Sequence, residues 1–207
     1  MLGKLDVNKK KKEISLLNTA FDFFTTKGFS KTSITDIADK AGVAKGTFYL
    51  YFKDKYDIRN RLISHKSSQI FLRAIKEVVA ENTSFEFSSM ENFEDMIIKI
   101  IDNIVNQLNT DKMLLTFISK NLSWGIFKNA LISPVGSEDV DFRQVYYDLL
   151  DKSPRPINQP EIMLFMIVEM VSSTCYSAIL YSEPCSLDEL KPHLYRQIRL
   201  LIRSFSE

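Results

Sequence analysis

Residues 20–55 read AFDFFTTKGFSKTSITDIADKAGVAKGTFYLYFKDK and contain two short periodic segments separated by a glycine. In the first segment, residues 33–41, apolar side chains recur at the spacing of one helical face. Ser33 opens that segment with a side chain suited to capping a helix. Gly42 follows at the point where a left-handed residue readily ends a helix. The pattern predicts two short helices joined at a tight corner.

The second segment, residues 44–52, predicts a contact surface. Val43, Phe48 and Phe52 can point inward while the polar side chains face elsewhere. In a helix-turn-helix, the second helix lies in the DNA major groove and its early residues touch base edges. Gly46 lies inside this segment, where glycine lowers helix stability. It indicates either a close approach of DNA to the backbone or a glycine tolerated in a marginal helix.

The flanking residues have two interpretations each. Tyr49 and Tyr51 can donate their phenol hydroxyls to phosphate oxygens, or they can be core aromatics with exposed tips. Lys53 and Lys55 are either phosphate contacts or solvated surface. Asp54 between them is suited to cap the next helix.

This stretch closely resembles the DNA-binding signature of the TetR family of bacterial transcriptional regulators. The match is dense and confined to roughly the first quarter of the chain. The residues that carry it are Ala20, Phe24, Lys27, Gly28, Phe29, Thr32, Ser33, Ile34, Ile37, Ala38, Ala41, Gly42, Val43, Lys45, Gly46, Thr47, Phe48, Tyr49, Tyr51, Phe52 and Lys55. Two positions depart from the family pattern. Ala44 stands where many relatives have Ser, and Leu50 stands where some relatives have a polar or aromatic residue that contacts DNA.

The resemblance implies an all-α homodimer of about nine helices. Residues 1–54 would form a three-helix, helix-turn-helix DNA-binding domain, and residues 55–207 a helical domain for effector binding and dimerisation. The last two helices would pair across a two-fold axis in a four-helix bundle. Carried over by position, the implied base or groove contacts are Thr35, Lys45, Gly46 and Thr47. The other implied DNA-binding residues, mainly phosphate contacts, are Thr32, Ser33, Tyr49, Tyr51, Lys53 and Lys55.

Charge is distributed unevenly along the chain. The 207 residues are 45% hydrophobic and 26% charged, with a formal net charge of +1. Residues 1–55 nevertheless carry a balance of +5 and residues 56–207 a balance of −4. A positively charged amino-terminal region, called the head, attached to a mildly negative remainder, called the body, favours an orientation in which the head faces a polyanion. The lysines at residues 9–12 form either a frayed terminus or a basic arm that follows DNA ahead of the first helix.

Other classes of protein find little support. The first twelve residues lack the apolar region of a secretory signal, and the longest apolar run, residues 162–168, is far short of a membrane span. We expect a cytoplasmic protein without membrane attachment. Cys175 and Cys185 form no CxxC motif, so free thiols are expected, with a redox switch between them as an alternative. His65 and His193 show no ligand spacing, and neither enzyme activity, metal nor cofactor is expected.

The rest of the chain predicts helices over residues 55–80, 93–108, 112–127, 140–150, 161–181 and 187–205. Residues 134–137 and 153–160 predict loops. The segment at 161–181 is apolar nearly all round at its start, which is typical of a helix buried on every side. One side would face its own domain and the other a second subunit.

A set of aromatic and methionine side chains suits an apolar, adaptable ligand cavity, although most of them can equally be ordinary core. Glu169 stands out because a carboxylate in an apolar helix needs a partner, either a cation across the dimer or a cationic ligand. The effector predicted is a hydrophobic or cationic small molecule. The candidate ligand-binding residues are Phe117, Trp124, Phe127, Tyr147, Met163, Met166, Glu169 and Tyr176.

The resulting hypothesis is a ligand-released repressor. The dimer would place two recognition helices in successive major grooves of a palindromic operator in double-stranded DNA. A ligand would favour a body conformation that moves the helix beginning near Lys55. The alternative is a DNA-binding regulator or activator controlled by a protein partner.

Overall fold

The computed structural model describes residues 4–81, 87–121 and 142–206, and within these ranges it contains α-helices and no β-strand. The all-α prediction is confirmed. The described helices are α1 (Lys4–Thr26), α2 (Ile34–Lys40), α3 (Lys45–Phe48), α4 (Lys55–Glu81), α5 (Met90–Thr110), α6 (Lys112–Asn121), α7 (Phe142–Leu150), α8 (Pro160–Tyr181) and α9 (Leu187–Phe205).

Helices α1 to α3 form the amino-terminal head. The inner face of α1 buries Leu16, Leu17 and Ala20, which join the same core as Ile37 of α2 and Phe48 of α3. The lysines at residues 9–12 lie within α1 rather than ahead of it. The prediction of an arm preceding the first helix is therefore wrong, because this basic run continues the helix.

The corner between α2 and α3 has the backbone that the glycine predicts. Ser33 Oγ accepts from the Asp36 amide at 3.0 Å, and the Asp36 carboxylate accepts from the Ser33 amide at 2.9 Å, which makes a capping box. At the other end, Gly42 has φ of 71° and its amide donates to Asp39 O, while the Val43 amide donates to Ala38 O. These paired bonds are a Schellman ending.

Helix α3 is shorter than predicted. The segment at 44–52 reads as one helix, but the α-helix ends at Phe48 and residues 49–51 form turns. The amides of Leu50 and Tyr51 bond to carbonyls three residues back, which is the tighter 3₁₀ pattern. Gly46 and the β-branched Thr47 both have low helix propensity, and the Ala44 cap has no side-chain hydrogen bond.

Helix α4 connects the head to the body. Asp54 Oδ1 accepts from the amides of Tyr56 and Asp57, both at 2.8 Å, so the predicted cap is present. Asp57 in turn accepts from the Lys53 amide at 2.9 Å. Helix α4 packs on α1 in the head and on α5 and α6 in the body. One continuous helix therefore spans both regions.

A buried charge cluster joins α5 to α9. The Glu94 side chain is fully buried, and Arg203 donates to its two oxygens at 2.7 and 2.8 Å. Arg199 also reaches Glu94, at 3.5 Å. The paired bonds to Glu94 raise the pKa of Arg203. These contacts fix the register of α9 on α5.

Helix α8 has a buried face and an exposed face in the single chain. Met163, Ile167 and Val171 are buried, whereas Ile162 and Met166 are 48% and 41% exposed. Among the described helices, α8 alone is long and apolar enough to cross a membrane by length and composition, and a third of its most apolar window is buried. Residues 162–168, the apolar run judged too short to span a membrane, thus belong to a longer apolar helix. That the protein does not attach to a membrane stays a prediction.

Candidate nucleic-acid interface and ligand cavity

Helix α3 presents one buried and one exposed face. Phe48 and Phe52 are 0% and 1% exposed, and their ring centroids lie 5.5 Å apart in the core. Lys45 and Gly46 are exposed, and Tyr49 is 52% exposed with its ring edge against Phe48. The orientation expected of the two phenylalanines is therefore present, and a lysine and a tyrosine tip remain open to solvent.

Gly46 is open on its outer side. A Cβ added there would meet no heavy atom within 4 Å, and the residue does not adopt a positive φ. Neither packing nor backbone conformation in this chain therefore requires glycine at this position. This geometry is compatible with both interpretations, a close approach of DNA and a glycine tolerated in a short helix.

The remaining candidates for DNA contact divide by exposure. Thr35 of α2 and Lys53 ahead of α4 are exposed, while Thr47 and Tyr51 are half-buried. Ser33 is exposed, but its hydroxyl lies 2.8 Å from Asp36 and forms part of the α2 cap. Bonds from the Ser33 amide and hydroxyl lower the pKa of the Asp36 carboxyl.

Thr32 and Lys55 have internal partners, which their place in the sequence does not suggest. Thr32 is 2% exposed and its hydroxyl donates to Gly28 O at 2.9 Å. The Lys55 ammonium donates to the carbonyl oxygens of Phe29 and Thr32, both at 2.9 Å, and lies 4.5 Å from the Phe29 ring centroid. The Thr32 hydroxyl is bonded within the α1–α2 turn, and Lys55 ties that turn to the start of α4, so we leave both side chains out of the proposed contact surface.

The body contains a partly open apolar cavity with a volume of about 170 Å³. Helices α4 to α8 all contribute to its wall. Its described lining is mostly aliphatic, with a few small polar side chains and no charged residue. The isoleucines of α5 recur at helical spacing on this wall and are Ile97, Ile100, Ile101 and Ile104. Sequence reasoning missed them because it selected aromatic and methionine residues, although their spacing was a visible signal.

Most of the residues predicted to bind ligand lie elsewhere. Met163 lines the cavity. Phe117 instead packs on α1, with its ring centroid 5.5 Å from Phe21 and 6.4 Å from Phe24. Tyr147 reaches towards Glu161 at 3.4 Å and is not among the described lining residues. Side-chain type alone does not reveal which face of a helix meets the cavity.

Three further candidates lie towards the outside of α8. Met166 and Glu169 are exposed on its outer face, so the ligand role expected of them does not fit the cavity. Tyr176 pairs with Tyr181, their hydroxyls 3.5 Å apart. Trp124 and Phe127 lie outside the described residues.

The cysteines are free thiols in different surroundings. Cys175 is 1% exposed and lines the cavity, and burial raises its pKa to about 11. Cys185 is half-buried after α8. A thiol with so high a pKa stays protonated near neutral pH, which is unfavourable for a redox sensor. In the part of the chain described, no group of three His, Cys, Asp or Glu residues could hold a metal ion.

A capped helix, a glycine corner and a short helix with an outward lysine and tyrosine, mounted on a helical body, define a helix-turn-helix protein. Residues 16–62 match the bacterial regulatory proteins of the tetR family. The matched residues contain α2, α3 and the corner between them, so the amino-terminal region of this chain resembles the DNA-binding region of that family.

The curated relatives match only part of this chain, and the matched part is less than two thirds of their own length. The fatty acid metabolism regulator protein of Bacillus subtilis is 33% identical over 78 residues, which cover 38% of this chain and 40% of that protein. A TetR transcriptional regulator from Rhodococcus has a TM-score of 0.64 at 18% identity, covering 94% of this chain and 97% of that one. FadR from Bacillus subtilis, solved in complex with stearoyl-CoA, has a TM-score of 0.58 at 18% identity, covering 91% and 97%. At these identities the structures establish a shared fold.

Proposed function

We propose that this protein is a cytoplasmic, DNA-binding transcriptional repressor that a small apolar molecule releases from its operator. The observation that carries the proposal is the outer face of α3, where Lys45, Gly46 and Tyr49 are exposed above the buried Phe48. This face offers a cation, an open backbone and a phenol hydroxyl to a groove and its phosphates. Thr47, half-buried beside them, is the proposed reader of base edges.

A second copy of the chain supplies the other head. The outer face of α8 exposes Ile162, Phe165 and Met166, and α9 exposes Leu200. Contiguous apolar side chains of this kind mark an interaction surface. A two-fold contact there would present two copies of α3 to the two halves of a palindromic operator. Glu169 on this face would then meet a donor from the partner.

The effector class follows from the cavity. Its described wall carries no charge, so an uncharged apolar group fits it better than the cationic alternative. Its volume of about 170 Å³ is close to that of an engineered cavity of roughly 150 Å³ that binds benzene. A small ring or a short hydrocarbon chain therefore fits without rearrangement. FadR of Bacillus subtilis, a relative in fold, was solved with stearoyl-CoA, which is consistent with an apolar ligand.

Two contacts could carry the effect of the ligand to the head. Helix α4 begins at Lys55 and reaches the cavity at Ser67, roughly 18 Å along its axis at the α-helical rise. Helix α6 lines the cavity with Leu115 and Ile118, while Phe117 packs on α1. A ligand that favours one arrangement of these helices shifts the population competent to bind both half-sites.

Selection of bound duplexes from a random library, with and without added apolar compounds, tests the proposal. We expect a palindromic motif whose enrichment falls when an effector is present. Thr47→Ala should change the preferred bases at symmetric positions, whereas Thr116→Ala, on α6, should not. Recovery of the same motif from both variants would remove Thr47 as a base reader. Release of the operator by a protein fraction alone would favour control by a protein partner.

A further inference from the structure

One hydroxyl on the cavity wall has no hydrogen-bond partner among the described residues. Ser67 Oγ is buried, and no polar atom in residues 4–81, 87–121 or 142–206 pairs with it. Ser67 lies on the face of α4 that also brings Ile70 and Phe71 to the cavity. A buried hydroxyl without a partner is unfavourable, and most buried polar groups in folded proteins are paired.

Neighbouring hydroxyls on the same wall have protein partners. Ser172 Oγ donates to Glu169 O at 3.4 Å, and Tyr146 donates to Pro160 O at 2.7 Å. The Tyr146 hydroxyl is also held in its neutral form, because burial raises its pKa. Ser67 thus differs from both in having its donor and its acceptor available to a molecule in the cavity.

We infer that the effector is an uncharged, mainly apolar molecule that carries one oxygen group, a hydroxyl or a carbonyl, which hydrogen-bonds to Ser67. This inference rests on the proposed function and specifies its ligand. The apolar part contacts the isoleucine wall of α5, and the oxygen group orients the molecule towards α4. Since α4 begins at Lys55 in the head, the bond is made to the helix that joins cavity and DNA-binding region.

The test compares p-cresol with toluene, which differ by one hydroxyl and are close in size to the cavity. Affinities of both for the full-length chain are measured by calorimetry or ligand-observed NMR, for wild type and for Ser67→Ala. The quantity of interest is the ratio of p-cresol affinity to toluene affinity, because the double comparison cancels the different hydration of the two probes. We expect this ratio to fall about three- to tenfold in Ser67→Ala, the range of one hydrogen bond.

Ser172→Ala is the matched control, because it removes a hydroxyl from the same wall that already donates to a carbonyl. Its affinity ratio should equal that of wild type. The melting temperature of Ser67→Ala should not fall, since the hydroxyl removed has no partner in the part of the chain that the structure describes. An unchanged ratio in Ser67→Ala, an equal drop in Ser172→Ala, or failure of both probes to bind wild type would each overturn the inference.

DNA binding is measured on the same preparations, which separates the two proposals. If the chain binds its selected duplex and the ratio does not change, the assignment of Ser67 is wrong and the regulator proposal stands. If the ratio changes but no duplex is preferred, Ser67 is a ligand contact and the proposed function is wrong.

Discussion

Gly46 shows how a single residue can separate folding from binding. No described residue lies within 4 Å of a Cβ added at this position, so Gly46→Ala should raise the free energy of unfolding by up to about 1 kcal/mol, the propensity difference in a helix. The same methyl group would stand between the backbone and DNA. We therefore expect tighter folding and weaker binding to the selected duplex, measured by thermal unfolding and fluorescence anisotropy.

Gly42→Ala provides the contrast to that substitution. Gly42 has φ of 71°, so an added side chain strains the α2–α3 corner and should lower stability. If Gly46→Ala binds the duplex as tightly as wild type, the glycine is only tolerated in a short helix and α3 does not approach DNA closely.

Lys55 and Lys53 are two residues apart and should behave differently. Lys53 is exposed, so Lys53→Met should remove one phosphate contact. The fall of log affinity with log salt should then be less steep by about one. Lys55 is bonded to two carbonyl oxygens of the head. Lys55→Met should therefore weaken binding with little change in that slope, and should lower the melting temperature. The measurement is a salt titration of affinity for each variant.

A reduced slope in Lys55→Met equal to that of Lys53→Met would contradict the internal role of Lys55. It would restore the phosphate contact that the family resemblance implies. In that case the ammonium must leave the Phe29 and Thr32 carbonyls when DNA binds.

At the scale of helices, Glu94 ties α5 to α9. Its carboxylate is fully buried and accepts two bonds from Arg203. Glu94→Gln should lower the free energy of unfolding by about 2 kcal/mol, the size of a hydrogen bond to a charged group. Asp95→Asn is the control, since Asp95 is 49% exposed and contacts the same Arg199. The free energy of unfolding of Asp95→Asn should fall by less than about 1 kcal/mol. Urea unfolding measures both, and equal losses would show that burial of Glu94 is unimportant.

Helix positions could be predicted from the sequence where local signals agree. Ser33, Gly42 and Asp54 each fix a helix end through bonds to residues close in the chain, and all three act as their residue types predict. The end of α3 could not be predicted as well. The apolar period continues to Phe52, while low propensity and the uncapped Ala44 shorten the helix.

The cavity was harder to predict because its wall combines helices distant in sequence. Ser67 and Cys175 meet there across more than one hundred residues of chain. Composition indicated aromatic and methionine side chains, but Phe117 packs on the head and Met166 faces outward. Whether the Ser67 hydroxyl has a partner among the described residues depends on the packing of several helices, and no local sequence pattern predicts it.

At the scale of the whole molecule, the outer face of α8 should hold two chains together. Met166 is 41% exposed on that face among other apolar side chains. Met166→Glu places a charge in the proposed interface and should shift the protein towards monomer, with weaker operator binding. Sedimentation velocity measures the change. Met113→Glu, on α6 and 56% exposed, should remain dimeric like wild type. If Met166→Glu is as dimeric as Met113→Glu, the interface lies elsewhere.

The central claim is that the outer face of α3, presented twice by a two-fold dimer, recognises a duplex sequence. Competition between the selected palindromic duplex and sheared genomic DNA, at about physiological salt, measures this directly. We expect a complex of two chains per duplex and a preference of about a thousandfold or more for the selected sequence. A monomeric protein that binds the selected duplex and genomic fragments equally would contradict the claim.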